Sequence, residues 1–312
     1  MKLKIFYLTI FTAIVFCFSN VDAYTVNYQS GTFQGMLNAK IFYQYWQVDD
    51  PVGVLVIAHG FGEHSNRYLE MAGYFSKLGF SCYALDHRGH GRSEGDRWNV
   101  EDFDYFLDDL HTYINMVKNW EKQDKVFLLG HSMGGEIAIK YALTYPQDLD
   151  GLIVSSPSVG AYLSGIEVPQ FANTLIGTFI GPLTNIDLLA DFPMPGTQIP
   201  AEYLSHDKSV VDAYVNDPMV CHEAVKVRMS VELSKNMSYI QNNANLLNVP
   251  VLVMYGTDDK VVPPDSTVNF YDKVKFKNKK LIGFEGYYHE IFNEIGKEDV
   301  YKATEDWLNS FY

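Results

Sequence analysis

Short apolar runs bounded by turn-forming residues alternate along the chain with longer stretches in which apolar residues recur every three or four positions. Val54 to Ala58, Phe80 to Leu85, Val126 to Leu129, Leu152 to Ser155 and Val251 to Tyr255 are continuous and rich in β-formers, the pattern of strands covered on both faces. A further strand is expected near Lys280 to Phe284, and the alternation of Lys40, Phe42, Gln44 and Trp46 predicts an early antiparallel edge strand. Helical spacing runs from Tyr68 to Leu78, where Gly79 stops it, and from about Val100 to Trp120 through Phe103, Phe106, Leu107, Leu110, Ile114 and Val117. Further helices are expected after Gly134, near Thr267 to Lys273, and at the end near Leu308. Strand and helix in such alternation predict an α/β fold with a mainly parallel, doubly wound sheet.

Between Ser156 and Asn248 the rhythm breaks. Seven prolines (Pro157, Pro169, Pro182, Pro193, Pro195, Pro200 and Pro218) punctuate helical apolar patches. This reads as a helical cap, residues 156–248, inserted into a core made of residues 24–155 and 249–312. Such an insertion sits over the carboxyl ends of the strands, where open α/β sheets bind ligands.

The first residues form a separate block. Lys2 and Lys4 precede an apolar run from Ile5 to Phe18, followed by small residues up to Ala23. That is the order of a secretory signal peptide over residues 1–23, cleaved after Ala23, and the run is shorter than the roughly 20 residues a span needs. A secreted or periplasmic protein is the expectation. Composition adds two exclusions. A formal net charge of −14 argues against nucleic-acid binding and against simple electrostatic docking on anionic membranes. Cys82 and Cys221, the cysteines beyond the leader, make no disulfide framework, and Cys82 reads as an inert core thiol.

The chemistry gathers around Gly130-His131-Ser132-Met133-Gly134, which separates a strand from a helix and so has the layout of a nucleophile elbow. A serine thrust out on so sharp a turn needs room beside it, which Gly130 and Gly134 supply, and the helix behind it aims N–H groups where negative charge develops. A serine needs a base, and the base needs a carboxylate to fix its tautomer. In this fold these follow in the order Ser, acid, His. Gly256-Thr-Asp-Asp-Lys-Val-Val-Pro263 follows a strand and offers Asp258 and Asp259; Asp259, just before the valines, is the expected acid, and Asp258 serves the turn. His289, on the loop after the next strand, is the expected base. The oxyanion donors are then the N–H groups of Met133 and of Phe61, in the His59-Gly60-Phe61-Gly62 loop after the first buried strand. His87 and His90 lie on one loop, and a structural turn reads better there than a metal site. No metal or organic cofactor is expected.

His59-Gly-Phe-Gly-Glu-His-Ser-Asn-Arg-Tyr68, Asp86-His-Arg-Gly-His-Gly-Arg-Ser-Glu-Gly95, Gly130-His-Ser-Met-Gly-Gly135, Asn216-Asp-Pro-Met-Val-Cys221, Gly256-Thr-Asp-Asp259 and Glu285-Gly-Tyr-Tyr-His289 together resemble the monoacylglycerol lipases and related lysophospholipase-like serine hydrolases of the α/β-hydrolase fold. The resemblance runs from about Phe42 to the end. It implies Ser132, Asp259 and His289 as catalytic residues, Phe61 and Met133 as the oxyanion hole, and Glu63, Arg67, His131 and Tyr214 as the lining of a polar pocket for a glycerol head. Glu63 and Arg67 read equally as an ion pair under the cap. The expected partner is a lipid ester, a monoacylglycerol or a lysophospholipid. Transient contact with a membrane or micelle through the cap is a further expectation. Tyr162, Leu163, Ile166, Phe171, Leu175, Ile176, Phe179 and Ile180 are expected to pack the cap, to line an acyl tunnel, or to dock on lipid, with packing accounting for most of them.

Overall fold

The computed structural model describes residues 24–163, 165–185 and 187–312; the leader, residues 1–23, lies outside them. The elements in chain order begin with β1 (Val26–Gln34), β2 (Lys40–Val48), β3 (Gly53–Ala58), α1 (Leu69–Lys77), β4 (Phe80–Leu85) and α2 (Asp104–Glu121). Then come β5 (Val126–His131), α3 (Met133–Thr144) and β6 (Leu149–Ser155). After the inserted segment the chain resumes with β9 (Val251–Gly256), α8 (Pro264–Lys273), β10 (Lys279–Phe284) and α9 (Lys297–Leu308). Eight strands form one sheet in the order β1-β2-β4-β3-β5-β6-β9-β10, parallel from β4 onward, with β1 and β2 antiparallel.

The central strands are buried on both faces because each alternate side chain enters a different layer. Val54, Val56, Leu128, Val154 and Val253 join the layer of α2, α3 and α8, with Phe106, Ile137 and Phe270. Leu55, Ile57, Leu129, Ile153 and Leu252 join the layer of α1 and α9, with Phe75, Val300 and Trp307. A period of two with both phases apolar needs two layers, and the helices supply them.

The early strand expected at the edge is not the edge. β2 lies between β1 and β4, and β1 takes the outer position. β1 gave no signal because its residues from Val26 to Ser30 are exposed on both sides, so no apolar alternation marks them.

The chain leaves the sheet after β6 and returns at β9. In between stand a two-stranded hairpin, β7 (Tyr162–Leu163) with β8 (Ile166–Glu167), then α4 (Gln170–Leu175), α5 (Asp187–Ala190), α6 (Lys208–Val215) and the long α7 (Val227–Asn243). The hairpin departs from the all-helical expectation; Gly165, at φ +77, makes its turn. Cys82, in β4, and Cys221, beyond α6, are both buried and unpaired. Among the described residues no helix is long and apolar enough to cross a membrane.

The loop after β4 is held by a buried ion pair. Asp109 of α2, inaccessible to solvent, accepts from Arg88 Nε at 2.7 Å and Nη2 at 2.9 Å, and from the Met36 N–H at 2.7 Å. Burial pushes the Asp109 carboxyl up in pKa even against the pull of Arg88. We predict that Asp109→Ala, which strands the guanidinium inside the protein, lowers stability by about 3–5 kcal/mol. A loss of less than about 1 kcal/mol in urea denaturation would contradict it.

Candidate active site

Ser132 stands between β5 and α3 at φ 53°, ψ −119°, a conformation side-chain-bearing residues avoid. Two glycines make room for it. A Cβ on Gly134 would collide with the carbonyl oxygens of Ala58 and His59, and one on Gly130 with the Gly134 carbonyl. The Ser132 N–H donates to Ser155 O at 3.0 Å, and its own carbonyl accepts from Glu136 N at 3.0 Å and Ser158 N at 2.9 Å. Neighbouring strands and helix thus fix the turn from both ends.

His289 lies on the loop after β10, 3% exposed. Its Nδ1 faces Asp259 Oδ2 at 2.7 Å. The other oxygen of Asp259 accepts from Val261 N at 2.8 Å and Val262 N at 2.9 Å, so the carboxylate is oriented before the imidazole meets it. It is Asp259 that reaches the ring; Asp258 is exposed beside Lys260. Burial acts to lower the His289 pKa, but Asp259, with Glu290 and Glu63 behind it, outweighs burial and leaves the pKa raised. Ser132 and His289 line one polar pocket together with Gly60, Phe61, Arg67 and Tyr214. Phe61 and Met133 border Ser132 in the adjoining cavity. The Phe61 N–H donates to no protein acceptor among the described residues, and the Met133 N–H opens α3, where no intrahelical acceptor exists.

The four residues expected to bind a head group are all at this pocket. Glu63 and Arg67 are engaged with each other at 2.9 Å. Arg67 also grips Glu290 through two bonds of 2.6 and 2.7 Å, and lies 5.0 Å from the centre of the Tyr214 ring. Burial would raise the Glu63 carboxyl, but Arg67, helped by His131 and His59, holds it down at about 2. His131, buried and next to His289, is held down at about 4, first by burial and then by that neighbour. It is therefore neutral near pH 7, with Nδ1 on Ser155 O at 3.2 Å. Sequence reasoning missed Glu290 as the clamp of Arg67, and Ile199 and Leu204 as the cap's contribution to the pocket. No spacing signal marks these, since each acts from a loop.

From Ser132 a second, apolar cavity of about 350 Å³ extends under the cap. Tyr162, Ile176 and Ile180 line it, as do Leu233 and Met237 of α7. Of the other cap residues singled out, Ile166 and Phe179 are 74% and 70% exposed and Leu175 is exposed too, so packing does not account for them. The side chains of Leu163 and Phe171 lie outside the described residues. His87 and His90 are buried against His59, with ring centres 4.4 and 5.5 Å from it. Burial keeps all three imidazoles low in pKa, His90 at about 3.

The model of the family described as serine aminopeptidase, S33, matches residues 49–296. A monoacylglycerol lipase of Mycolicibacterium smegmatis is 33% identical over 280 residues, covering 89% of this chain and 96% of that protein. A monoglyceride lipase of Rattus norvegicus is 34% identical over 259 residues, covering 82% of this chain and 81% of that one. Among solved structures, a Paleococcus ferrophilus monoacylglycerol lipase superposes with a TM-score of 0.72 at 28% identity, over 92% of this chain and all of the other.

Because Glu63 is held at about 2, its contribution to stability is complete above the unfolded glutamate value of about 4.3 and is lost as pH falls toward 2. Arg67→Met leaves Glu63 and Glu290 buried without a cation. We predict a loss of about 3–5 kcal/mol at neutral pH that shrinks as pH falls toward 4, where protonation relieves the uncompensated carboxylates. A loss equal at pH 4 and pH 8 in chemical denaturation would refute it.

Proposed function

The chain belongs to the α/β-hydrolase family described as serine aminopeptidase, S33, alongside its monoacylglycerol lipases, and is an ester hydrolase; from that premise we propose that it cleaves monoacylglycerols through a covalent acyl-enzyme at Ser132. In this reading His289 takes the Ser132 proton and Asp259 holds the ring in the right tautomer. The N–H groups of Phe61 and Met133 receive the oxyanion. His289 then protonates the departing glycerol and activates water to free the fatty acid. The observation that carries the proposal is the meeting at Ser132 of two unlike spaces. One is the apolar cavity of about 350 Å³, fit for a single fatty chain; the other is the polar pocket bearing the buried His289–Asp259 pair.

The size of the polar pocket favours glycerol over a larger head. It encloses about 10 Å³, room for a single water. Ile199 and Leu204 must yield even for glycerol, and by much more for phosphocholine. A lysophospholipase or broad carboxylesterase is the second reading. A non-catalytic lipid-binding protein on the same scaffold stands apart, and a fluorophosphonate probe that failed to label Ser132 would favour it.

We also propose export, with cleavage after Ala23, checked by N-terminal sequencing that begins at Tyr24. Transient docking on lipid would use the exposed Ile166, Leu175 and Phe179 of the cap.

Ser132→Ala is expected to lower turnover by a factor on the order of 10⁶; activity within tenfold of wild type overturns the assignment. Monoacylglycerol is expected to be hydrolysed in clear preference to lysophosphatidylcholine, and the reverse order would install the second reading. The base works only when neutral, so kcat/KM should fall as pH drops through a value above 6.5, the ordinary one from which His289 is raised. In Asp259→Asn the acid limb moves to lower pH and the plateau falls by on the order of 10⁴. An unmoved limb would place the titrating base elsewhere.

A further inference from the structure

Glu136 lies one turn beyond Ser132 in α3 and is closed off from solvent. Its side chain meets Asn236 of the cap helix α7, whose Nδ2 donates to Glu136 Oε1 at 3.0 Å. Each residue has one more buried side-chain oxygen, Glu136 Oε2 and Asn236 Oδ1, and neither has a partner. An ionised glutamate would leave Asn236 Oδ1 orphaned whatever the Ser158 hydroxyl offers the carboxylate, because a carboxylate only accepts. A single proton satisfies both. We propose that Glu136 is a neutral carboxylic acid joined to the Asn236 carboxamide by two hydrogen bonds, Nδ2–H to Oε1 and Oε2–H to Oδ1. This latch fixes α7 against the helix that carries Ser132.

The surroundings agree. Burial drives the Glu136 carboxyl well up in pKa, over the opposing pull of Asn236, Ser158 and Lys140. Lys140, one turn along α3, is engaged by Asp104 of α2 and lies over the Phe103 and Tyr239 rings. On α7, Lys235 and Glu232 pair with each other at 2.6 Å. From the loop after β6 the Ser158 hydroxyl also reaches the carboxyl. Glu101 and Asp102 border the same surface groove as Lys140, Glu232, Lys235 and Asn236, and they oppose a further negative charge. The latch matters to the site because Ser230, Leu233, Ser234 and Met237 of α7 form one wall of the apolar cavity, with Ser158 on another side. Glu136 is thus a positioning residue that sets this wall relative to the nucleophile.

A carboxyl raised in the native state binds its proton where the unfolded chain, at about 4.3, has released it. The wild type therefore loses stability as pH climbs from about 4.3 through the raised native value. Glu136→Gln keeps both bonds, its Nε2–H replacing the acid O–H, and does not titrate. We expect this variant to keep its activity and to melt at or above the wild type, with a gap that opens above about pH 4.3 and vanishes below it. The infrared difference between the two proteins at pH 7 should show the carbonyl band of a protonated carboxyl in the wild type alone. Asn236→Leu, which breaks both bonds, should melt earlier and raise KM for long-chain monoacylglycerol several-fold, with kcat/KM for a soluble acetyl ester close to wild type. Absence of the protonated-carboxyl band, or a Glu136→Gln protein as destabilised as Asn236→Leu, overturns the proposal. The KM readout rests on the proposed function; the infrared and melting measurements use no substrate and so fail or succeed independently of it.

Discussion

The backbone at Ser132 is held where a residue with a side chain does not rest by choice, and much of the surrounding sequence follows from that. A positive φ there costs about 1–3 kcal/mol and persists only when the neighbours leave no alternative. Those neighbours are specific: Ser155 receives the Ser132 N–H, and Glu136 and Ser158 donate to its carbonyl. Gly130 and Gly134 vacate the space that any Cβ would fill. The strain is borne by a sheet buried on both faces, whose alternate residues reach two separate apolar layers. Relaxing the turn would mean pulling β5 out of register between β3 and β6.

The partners of the serine arrive from far along the chain and are fixed by different means. Asp259 is oriented locally by the N–H groups of Val261 and Val262. His289 is held by the cap and by its neighbour in sequence. Its N–H donates to Tyr203 O at 3.3 Å, the next N–H goes to Leu204 O at 2.8 Å, and the Glu290 carboxylate is clamped by Arg67. Buried ion pairs add little net stability compared with apolar packing, but breaking one is expensive, so such a pair specifies position better than it stabilises. The Arg67–Glu290 bridge fits that role, because it fastens the loop after β3 to the loop that carries the imidazole.

The parts of this arrangement that the sequence disclosed were those with a periodic or local signature. The strands β3 to β6 and β9 are buried on both faces and read as unbroken apolar runs. The elbow is local too, a strand, two glycines and a helix in succession. β1 was invisible because its first half is exposed on both sides, and the hairpin at Tyr162 to Glu167 because two-residue strands have no period. Glu290 and Ile199 went unnoticed for another reason: their roles exist only once loops distant in sequence meet. Glu136 carries no local mark of its burial, since nothing in its own helix announces that α7 will cover it.

The charges around His289 suit the chemistry proposed for it. Arg67 answers only one of the two carboxylates that grip it, so Glu63, Arg67 and Glu290 together carry one net negative charge, and Asp259 adds another. His131, kept neutral by burial, contributes no competing cation. An imidazolium formed as Ser132 loses its proton therefore appears in a field already arranged for positive charge, and little reorganisation is required at that moment. The same field acts on the product. In the proposed reaction a fatty acid freed at Ser132 becomes a carboxylate beside Glu63, Glu290 and Asp259, a group that already carries net negative charge. It is repelled toward solvent while the neutral glycerol is not. One distribution of charge thus favours the proton transfer that begins the cycle and the departure that ends it.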